Sequence, residues 1–73
     1  MYRVFKKDYT KREIVEDYGK MNIDELKEFA KKFINIYFEN ENELEEEIEF
    51  IKRNKFDCWW NEKNKEVIRI MEE

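Results

Sequence analysis

The sequence predicts an α+β fold in which two helices pack on one face of a small antiparallel sheet, in the order β-β-α-α-β-β. Segments near both ends of the chain alternate or are rich in β-branched residues, which predicts strands. Two central segments instead place apolar residues three and four positions apart, the spacing of an amphipathic helix. Because 73 residues suffice for one core, residues 1–73 are predicted to form a single domain.

The first two strands are predicted near the N-terminus. Residues 2–7 alternate weakly, as a half-buried strand does. Residues 13–18 permit two interpretations. Two adjacent β-branched residues favour a second strand paired with the first. The spacing of Thr10 and Glu13 also fits a capping box, and Gly19 could end a short helix, so a helix stays open as the alternative.

Two helices are predicted in the centre. The first covers residues 23–38, with Asn22 as the N-cap residue and Glu25 three positions later. The second begins with Asn42 as N-cap and Glu45 three positions later. The apolar positions of the first helix are Ile23, Leu26, Phe29, Ala30, Phe33, Ile34 and Tyr37. Those of the second are Leu44, Ile48 and Ile51.

A hairpin is predicted at the C-terminus. Residues 56–61 alternate, residues 62–65 supply a turn, and residues 66–71 are rich in β-branched side chains. A helix over residues 65–73 is the alternative interpretation, and the β-branched run favours the strand.

The two adjacent tryptophans must face opposite sides of the sheet. Trp60 shares its side with Phe56 and Cys58, so these residues are predicted to lie in the core. Cys58 is then a buried and unreactive thiol. Trp59 is predicted on the helix-free face with Phe5. The two would form an aromatic partner-binding site, since tryptophan is enriched at interfaces, and the alternative is that Trp59 is a partly covered surface residue.

The composition argues against catalysis. The chain has no His, no Ser and one Thr, and Cys58 has no base to activate it. Gly19 is the only glycine, so no glycine-rich phosphate loop can form, and a structural zinc site would need four Cys or His ligands. We therefore expect no enzymatic activity, no cofactor and no metal. A single cysteine, no signal peptide and no long apolar run predict a cytoplasmic protein without a membrane segment.

The strongest functional pattern is an acidic block. Residues 39–51 contain seven Glu and no Lys or Arg. Carboxylates spaced along a helix can stand where DNA phosphates would lie and steer a protein that has a basic nucleic-acid-binding surface. The alternative is a solvated helix face that aids solubility. The predicted acidic surface consists of Glu39, Glu41, Glu43, Glu45, Glu46, Glu47 and Glu49.

Two other modes of association stay open. A basic set near the N-terminus, combined with aromatic residues on a small sheet, is typical of single-stranded nucleic-acid platforms. However, acidic residues interleave with that set and the net charge is −4, so the sequence favours a protein partner over direct nucleic-acid binding. A small core without disulfide or metal also permits a homodimer with a structural or regulatory role. The basic set consists of Arg3, Lys6, Lys7, Lys11 and Arg12.

Three segments carry a resemblance to a known group: residues 2–6, residues 21–26, and the hairpin from 58–61 to 67–70. With these segments the chain resembles the short accessory proteins, rich in Lys, Glu, Asn and Ile, of phages and prophages of low-GC Gram-positive bacteria. Some such proteins inhibit host defence systems, and small acidic anti-CRISPR proteins are among them. The resemblance implies an inhibitor that binds a host protein in the host cytoplasm, and it assigns no functional residue.

Overall fold

A computed structural model describes all 73 residues. Its elements are β1 (Tyr2–Asp8), β2 (Glu13–Met21), α1 (Ile23–Lys31), α2 (Glu41–Asn54), β3 (Phe56–Asn61) and β4 (Glu66–Glu72). The four strands form one antiparallel sheet in the order β2-β1-β4-β3. The predicted α+β fold and its element order are therefore confirmed.

The two hairpins meet at the centre of the sheet. β1 pairs with β4, so the first and last strands of the chain are neighbours, and β2 and β3 are the edges. The two helices connect one edge strand to the other and cover a single face. Apolar residues from all elements except β2 form the core between helices and sheet. This core consists of Tyr2, Val4, Leu26, Ala30, Phe38, Leu44, Ile48, Ile51, Trp59, Ile68 and Ile70.

The segment with two interpretations is a strand. β2 pairs with β1 over its whole length, and the short helix is not formed. The Asp8 side chain accepts hydrogen bonds from the backbone N–H groups of Thr10 (2.8 Å) and Lys11 (3.1 Å), which closes the turn between the two strands. Gly19 adopts φ +79°, a left-handed conformation that glycine tolerates inside this irregular strand.

Helix α1 begins as predicted and ends early. The Asn22 side chain accepts from the Glu25 backbone N–H (2.8 Å), and the Glu25 side chain accepts from the Asn22 backbone N–H (3.0 Å). The predicted end at residue 38 is wrong, because the helix stops at Lys31. Phe33 to Phe38 are mostly aromatic or β-branched residues of modest helix propensity, and Asn35 adopts φ +75°, which a helix cannot contain.

The loop after α1 still buries apolar side chains, which explains why its spacing resembled a helix. Phe38 is buried, and its ring lies edge-on to Trp59 with centroids 5.0 Å apart. Phe33 contacts Phe29 on one side and Tyr37 on the other, with centroids 5.1 Å apart in each case. The loop therefore takes over part of the packing that a longer helix would have provided.

Helix α2 begins two residues earlier than predicted. The N-cap is Asn40, whose side chain accepts from the Glu43 backbone N–H (2.9 Å), and Asn42 lies inside the first turn. Both asparagines have Glu three positions later, so the spacing fitted either one. The predicted apolar stripe is confirmed, because Leu44, Ile48 and Ile51 are all buried.

The C-terminal hairpin is confirmed, but its faces are the reverse of the prediction. Trp59 is buried against the helices with 3% of its surface exposed, whereas Trp60 is 56% exposed on the helix-free face. Asp57 accompanies Trp59 into the core, and Trp59 Nε1 donates to its carboxyl group (3.0 Å). This buried hydrogen bond makes an inward Asp57 acceptable.

The reversal also moves Cys58. The thiol is half-buried on the helix-free face, between Phe56 and Trp60, and pairs across the sheet with Arg69. The prediction of a fully buried Cys58 in the core is therefore wrong. Its neighbour Phe56, predicted in the core as well, is 53% exposed.

Replacing the two tryptophans separately tests the direction of β3. Trp59→Ala should destabilise the protein by about 3–5 kcal/mol, because it removes a buried aromatic ring. Trp60→Ala should cost about 1 kcal/mol or less, since most of that ring is exposed. Urea denaturation of both variants measures the difference. Equal losses, or a larger loss for Trp60→Ala, would contradict this orientation.

The two asparagines near the start of α2 form a second matched pair. Asn40→Ala should destabilise the protein by about 1 kcal/mol, because the Glu43 backbone N–H loses its acceptor. Asn42→Ala should be neutral or slightly stabilising, since alanine has the higher helix propensity at this exposed position. Thermal unfolding followed by circular dichroism distinguishes the two variants. A larger loss of stability for Asn42→Ala would indicate that Asn42 is the N-cap residue, as the sequence predicted.

Candidate functional site

The acidic surface is spread around the N-terminal part of α2. Successive helix residues rotate by about 100°, so contiguous glutamates cannot share one stripe. Glu45 forms an ion pair with Lys27 of α1 (2.8 Å), and Glu49 forms one with Lys52 in the next turn (3.2 Å). The exposed carboxylates without an ion pair are those of Glu39, Glu41 and Glu46.

Glu43 and Glu47 are less available than the sequence suggested, because both are half-buried. The Glu43 backbone N–H is bound by the N-cap, and its carboxylate accepts from the Glu39 backbone N–H (3.4 Å). Glu47 lies against Asp57 at the edge of the core. The structure therefore leaves four of the seven predicted carboxylates exposed, because Glu45 is half-buried as well.

Glu47, Asp57 and Trp59 form a polar cluster between α2 and β3. Asp57 accepts from the Trp59 indole N–H (3.0 Å) and from the Cys58 backbone N–H (2.8 Å). A hydrogen bond to Asp57, together with burial and the nearby charge, raises the pKa of Glu47 to about 7. Glu47 therefore holds its proton well above the usual carboxyl range while the protein is folded.

The helix-free side of the sheet is the second candidate surface. Trp60 and Phe56 are 56% and 53% exposed there, and Met71 is also exposed. Phe5 is half-buried on this side, as predicted, whereas Trp59 is absent from it. We call this surface the open sheet face, and it carries Arg3, Phe5, Lys7, Phe56, Cys58, Trp60, Val67, Arg69 and Met71.

One end of the open sheet face contains a groove of about 320 Å³. The Tyr9 and Trp60 rings meet edge-to-face in it, with centroids 5.2 Å apart, above the buried Val67. Three cationic side chains supply the rest of the lining. We call it the cationic groove, and it is lined by Lys7, Tyr9, Arg12, Trp60, Val67 and Arg69.

The cations of the groove have no anionic partner within the chain. Elsewhere on the same face, Arg3 pairs with Asp17 (2.6 Å) and Lys20 pairs with Glu73 (3.0 Å). Lys7, Arg12 and Arg69 form no such pair. The Arg69 Nε atom is also shielded from solvent without a hydrogen-bond acceptor, which costs about 1–3 kcal/mol.

Sequence reasoning found part of this groove. It singled out Lys7 and Arg12 as members of the basic set, and it missed Trp60 and Arg69. The signal for Arg69 was present, because alternation along β4 puts it on the same side as Val67 and Met71, opposite Ile68 and Ile70. A charged residue between two apolar neighbours on β4 indicates that the side carrying Arg69 is the one the helices leave open.

Two further features bear on possible chemistry. No group of three or more His, Cys, Asp or Glu side chains is arranged so that it could hold a metal ion. None of the helices combines the length and the apolar character needed to cross a bilayer.

The polar cluster predicts an unusual pH dependence of stability. The folded-state pKa of Glu47 is about 7 and the unfolded value is 4.5, so the folded protein binds the extra proton between these pH values. Stability should therefore decrease as the pH rises from about 4.5 to about 7. Asp8 and Asp17 have lowered pKa values, through hydrogen bonds from Thr10 and Gly19 respectively. They therefore change the stability only at pH values more acidic than the range in which Glu47 titrates.

Glu47→Gln isolates this effect, because an amide can donate a hydrogen bond to Asp57 without titrating. The variant should show a flatter stability profile from pH 5 to 8 and should match or exceed the parent at pH 8. Glu46→Gln, at an exposed carboxylate without a partner, should keep the parent's profile. Urea denaturation at a series of pH values provides the measurement, and parallel profiles for all three proteins would refute the assignment.

Comparisons with known proteins identify no relative. No protein-family model matches the chain, and no curated protein and no solved structure is significantly similar to it. The resemblance to phage accessory proteins therefore stays a prediction.

Proposed function

We propose that this protein is a non-enzymatic protein-binding module whose acidic surface engages the basic nucleic-acid-binding site of another protein. The observation that carries the proposal is the exposure of Glu39, Glu41 and Glu46, three carboxylates that form no ion pair within the chain. Binding of this kind needs no reactive group, because occupying the partner's site is sufficient to inhibit it.

The spread of carboxylates around α2 is compatible with such a role. Electrostatic steering depends on the summed field rather than on a single stripe of charges. Helix α2 has 14 residues and is therefore about 21 Å long, and the seven glutamates of the acidic surface lie in its first nine residues or just before it. Most of these charges are within about two Debye lengths of one another at physiological salt, so they act together on an approaching partner.

The resemblance to phage accessory proteins supports the same class of function. A small acidic inhibitor of a host nucleic-acid-processing or defence protein would need a rigid scaffold that presents carboxylates. The N-cap at Asn40 and the buried stripe below fix α2 against the sheet. The ion pair from Glu45 to Lys27 joins α2 to α1 as well.

A homodimer is a second candidate, favoured by the exposure of Trp60 and Phe56 on one flat face. Apolar patches of this kind often mark interfaces. The unpaired Lys7 and Arg69 lie on the same face. If two copies packed these faces together, the cations of one copy would approach those of the other unless an anion neutralised them.

Charge reversal tests the acidic surface. The triple variant Glu39→Lys, Glu41→Lys, Glu46→Lys should lose capture of basic nucleic-acid-binding proteins from a bacterial lysate and should slow association with a purified captured protein at least tenfold at low salt. Folding should be nearly unchanged, because these side chains are exposed and unpaired. Capture followed by mass spectrometry, and then association rates at two salt concentrations, provide the measurement.

The matched control is Glu13→Lys, Glu16→Lys, Glu62→Lys, which changes the net charge equally at exposed positions away from α2. It should retain capture and association. Equal capture by the parent and the α2 variant would contradict the proposal, as would equal losses in the two triple variants. Capture that duplex DNA fails to displace would also argue against occupation of a nucleic-acid site.

A further inference from the structure

We propose that the open sheet face binds single-stranded nucleic acid, with a base stacked on Trp60 and a backbone phosphate held in the cationic groove. This function goes beyond the proposed protein binding and uses a different surface, because the helices that carry the acidic surface cover the opposite face of the sheet. The two surfaces can therefore be tested separately.

The aromatic residues provide the first part of the argument. Trp60 and Phe56 lie on the same side of β3, four residues apart, so their Cα atoms are about 13 Å apart along the strand. More than half of each side chain is exposed. Tyr9 and Trp60 meet with their ring planes inclined at 67°, and the Trp60 side chain stays exposed enough for a base to reach it. Stacking on such rings is tolerant of sequence, since every base has a π-face.

The strand register provides the second part. Lys7 pairs with Val67, which in turn pairs with Trp60, so these three side chains form one row across the sheet. The next row is Phe5, Arg69 and Cys58. Each of these two rows therefore contains one cation and one aromatic ring. This arrangement suits a ligand that carries both phosphates and flat bases.

The unpaired state of the cations provides the third part. Lys7, Arg12 and Arg69 line one groove, and none forms an ion pair within the chain. The Arg69 guanidinium also contains a buried donor without an acceptor. A phosphate supplies several acceptor oxygens and the negative charge that the groove lacks.

Single-stranded nucleic acid suits both the exposed aromatic rings and the unpaired cations better than other ligands do. A duplex would offer phosphates while hiding the base faces in its stack. An acidic peptide would neutralise the cations and leave Trp60 and Phe56 without flat partners. A second copy of this chain would cover the aromatic rings without supplying three anions to the groove, unless its own acidic surface were placed there.

Fluorescence anisotropy with a labelled single-stranded oligonucleotide of about 12 nucleotides tests the proposal, a length suited to one small platform. The parent should bind, and Trp60→Ala should weaken binding at least tenfold. The double variant Lys7→Gln, Arg69→Gln should weaken it at least tenfold and reduce the slope of log affinity against log salt by about 1.4, as expected for two lost phosphate contacts.

Matched controls exclude general effects of charge and exposed apolar surface. Ile36→Ala removes a side chain that is 55% exposed elsewhere on the molecule, and Lys32→Gln with Lys63→Gln removes two exposed cations outside the groove that also form no ion pair. Both should bind as the parent does, and circular dichroism should show that every variant is folded. Charge reversal at Glu39, Glu41 and Glu46 should preserve binding of the oligonucleotide. The two proposals can therefore fail independently of each other.

Three results would overturn the inference. These are no binding of the oligonucleotide at low salt, equal affinity for duplex DNA of the same length, or equal affinity for poly-glutamate. Sedimentation of the parent completes the test. A dimer that Trp60→Ala dissociates, without oligonucleotide binding in either protein, would assign the face to self-association instead.

Discussion

The pairing of β1 with β4 holds this small fold together. Each hairpin alone has two strands and would be marginal in water, so the sheet gains its stability where the two hairpins join. Val4 and Ile70 face each other across this junction, and neither has exposed surface. The core is therefore complete only when the first and last strands are paired, and this long-range contact raises the contact order of the fold.

The sheet also separates two sides of the molecule that differ in chemistry. On one side, the helices remove the core from water, and seven of the 19 acidic residues lie on α2 or just before it. On the other side, no element covers the sheet, and aromatic rings lie among cations. The net charge of −4 averages over these two sides and describes neither. A surface that is locally basic is therefore compatible with an acidic protein.

Sequence periodicity identified the elements well and their limits less well. The strands, the turn before β4 and the capping box at Asn22 followed from local patterns, because each depends on residues close together in the chain. The end of α1 did not, since Phe38 leaves the helical path to pack on Trp59, more than twenty residues away. Such a contact is decided by tertiary packing, which local spacing cannot report.

The candidate surfaces were predictable to a similar extent. The charge pattern located the acidic surface, but it could not show that Glu47 turns towards Asp57 or that Glu45 is paired with Lys27. Alternation showed that Trp59 and Trp60 lie on opposite faces, and it left open which face the helices cover. That choice was made from the neighbours of Trp60, which are apolar, and the structure resolves it the other way.

The hydrogen bond between Trp59 and Asp57 stabilises the observed orientation of β3. An indole N–H needs an acceptor when it is buried, and Asp57 provides one from two positions earlier on the same side of β3. With Trp59 fixed inward, strand geometry directs Trp60 outward, because a shift of one residue would exchange every side chain between the faces. The hydrogen bond that satisfies the buried indole therefore supports the orientation in which Trp60 lies on the open sheet face.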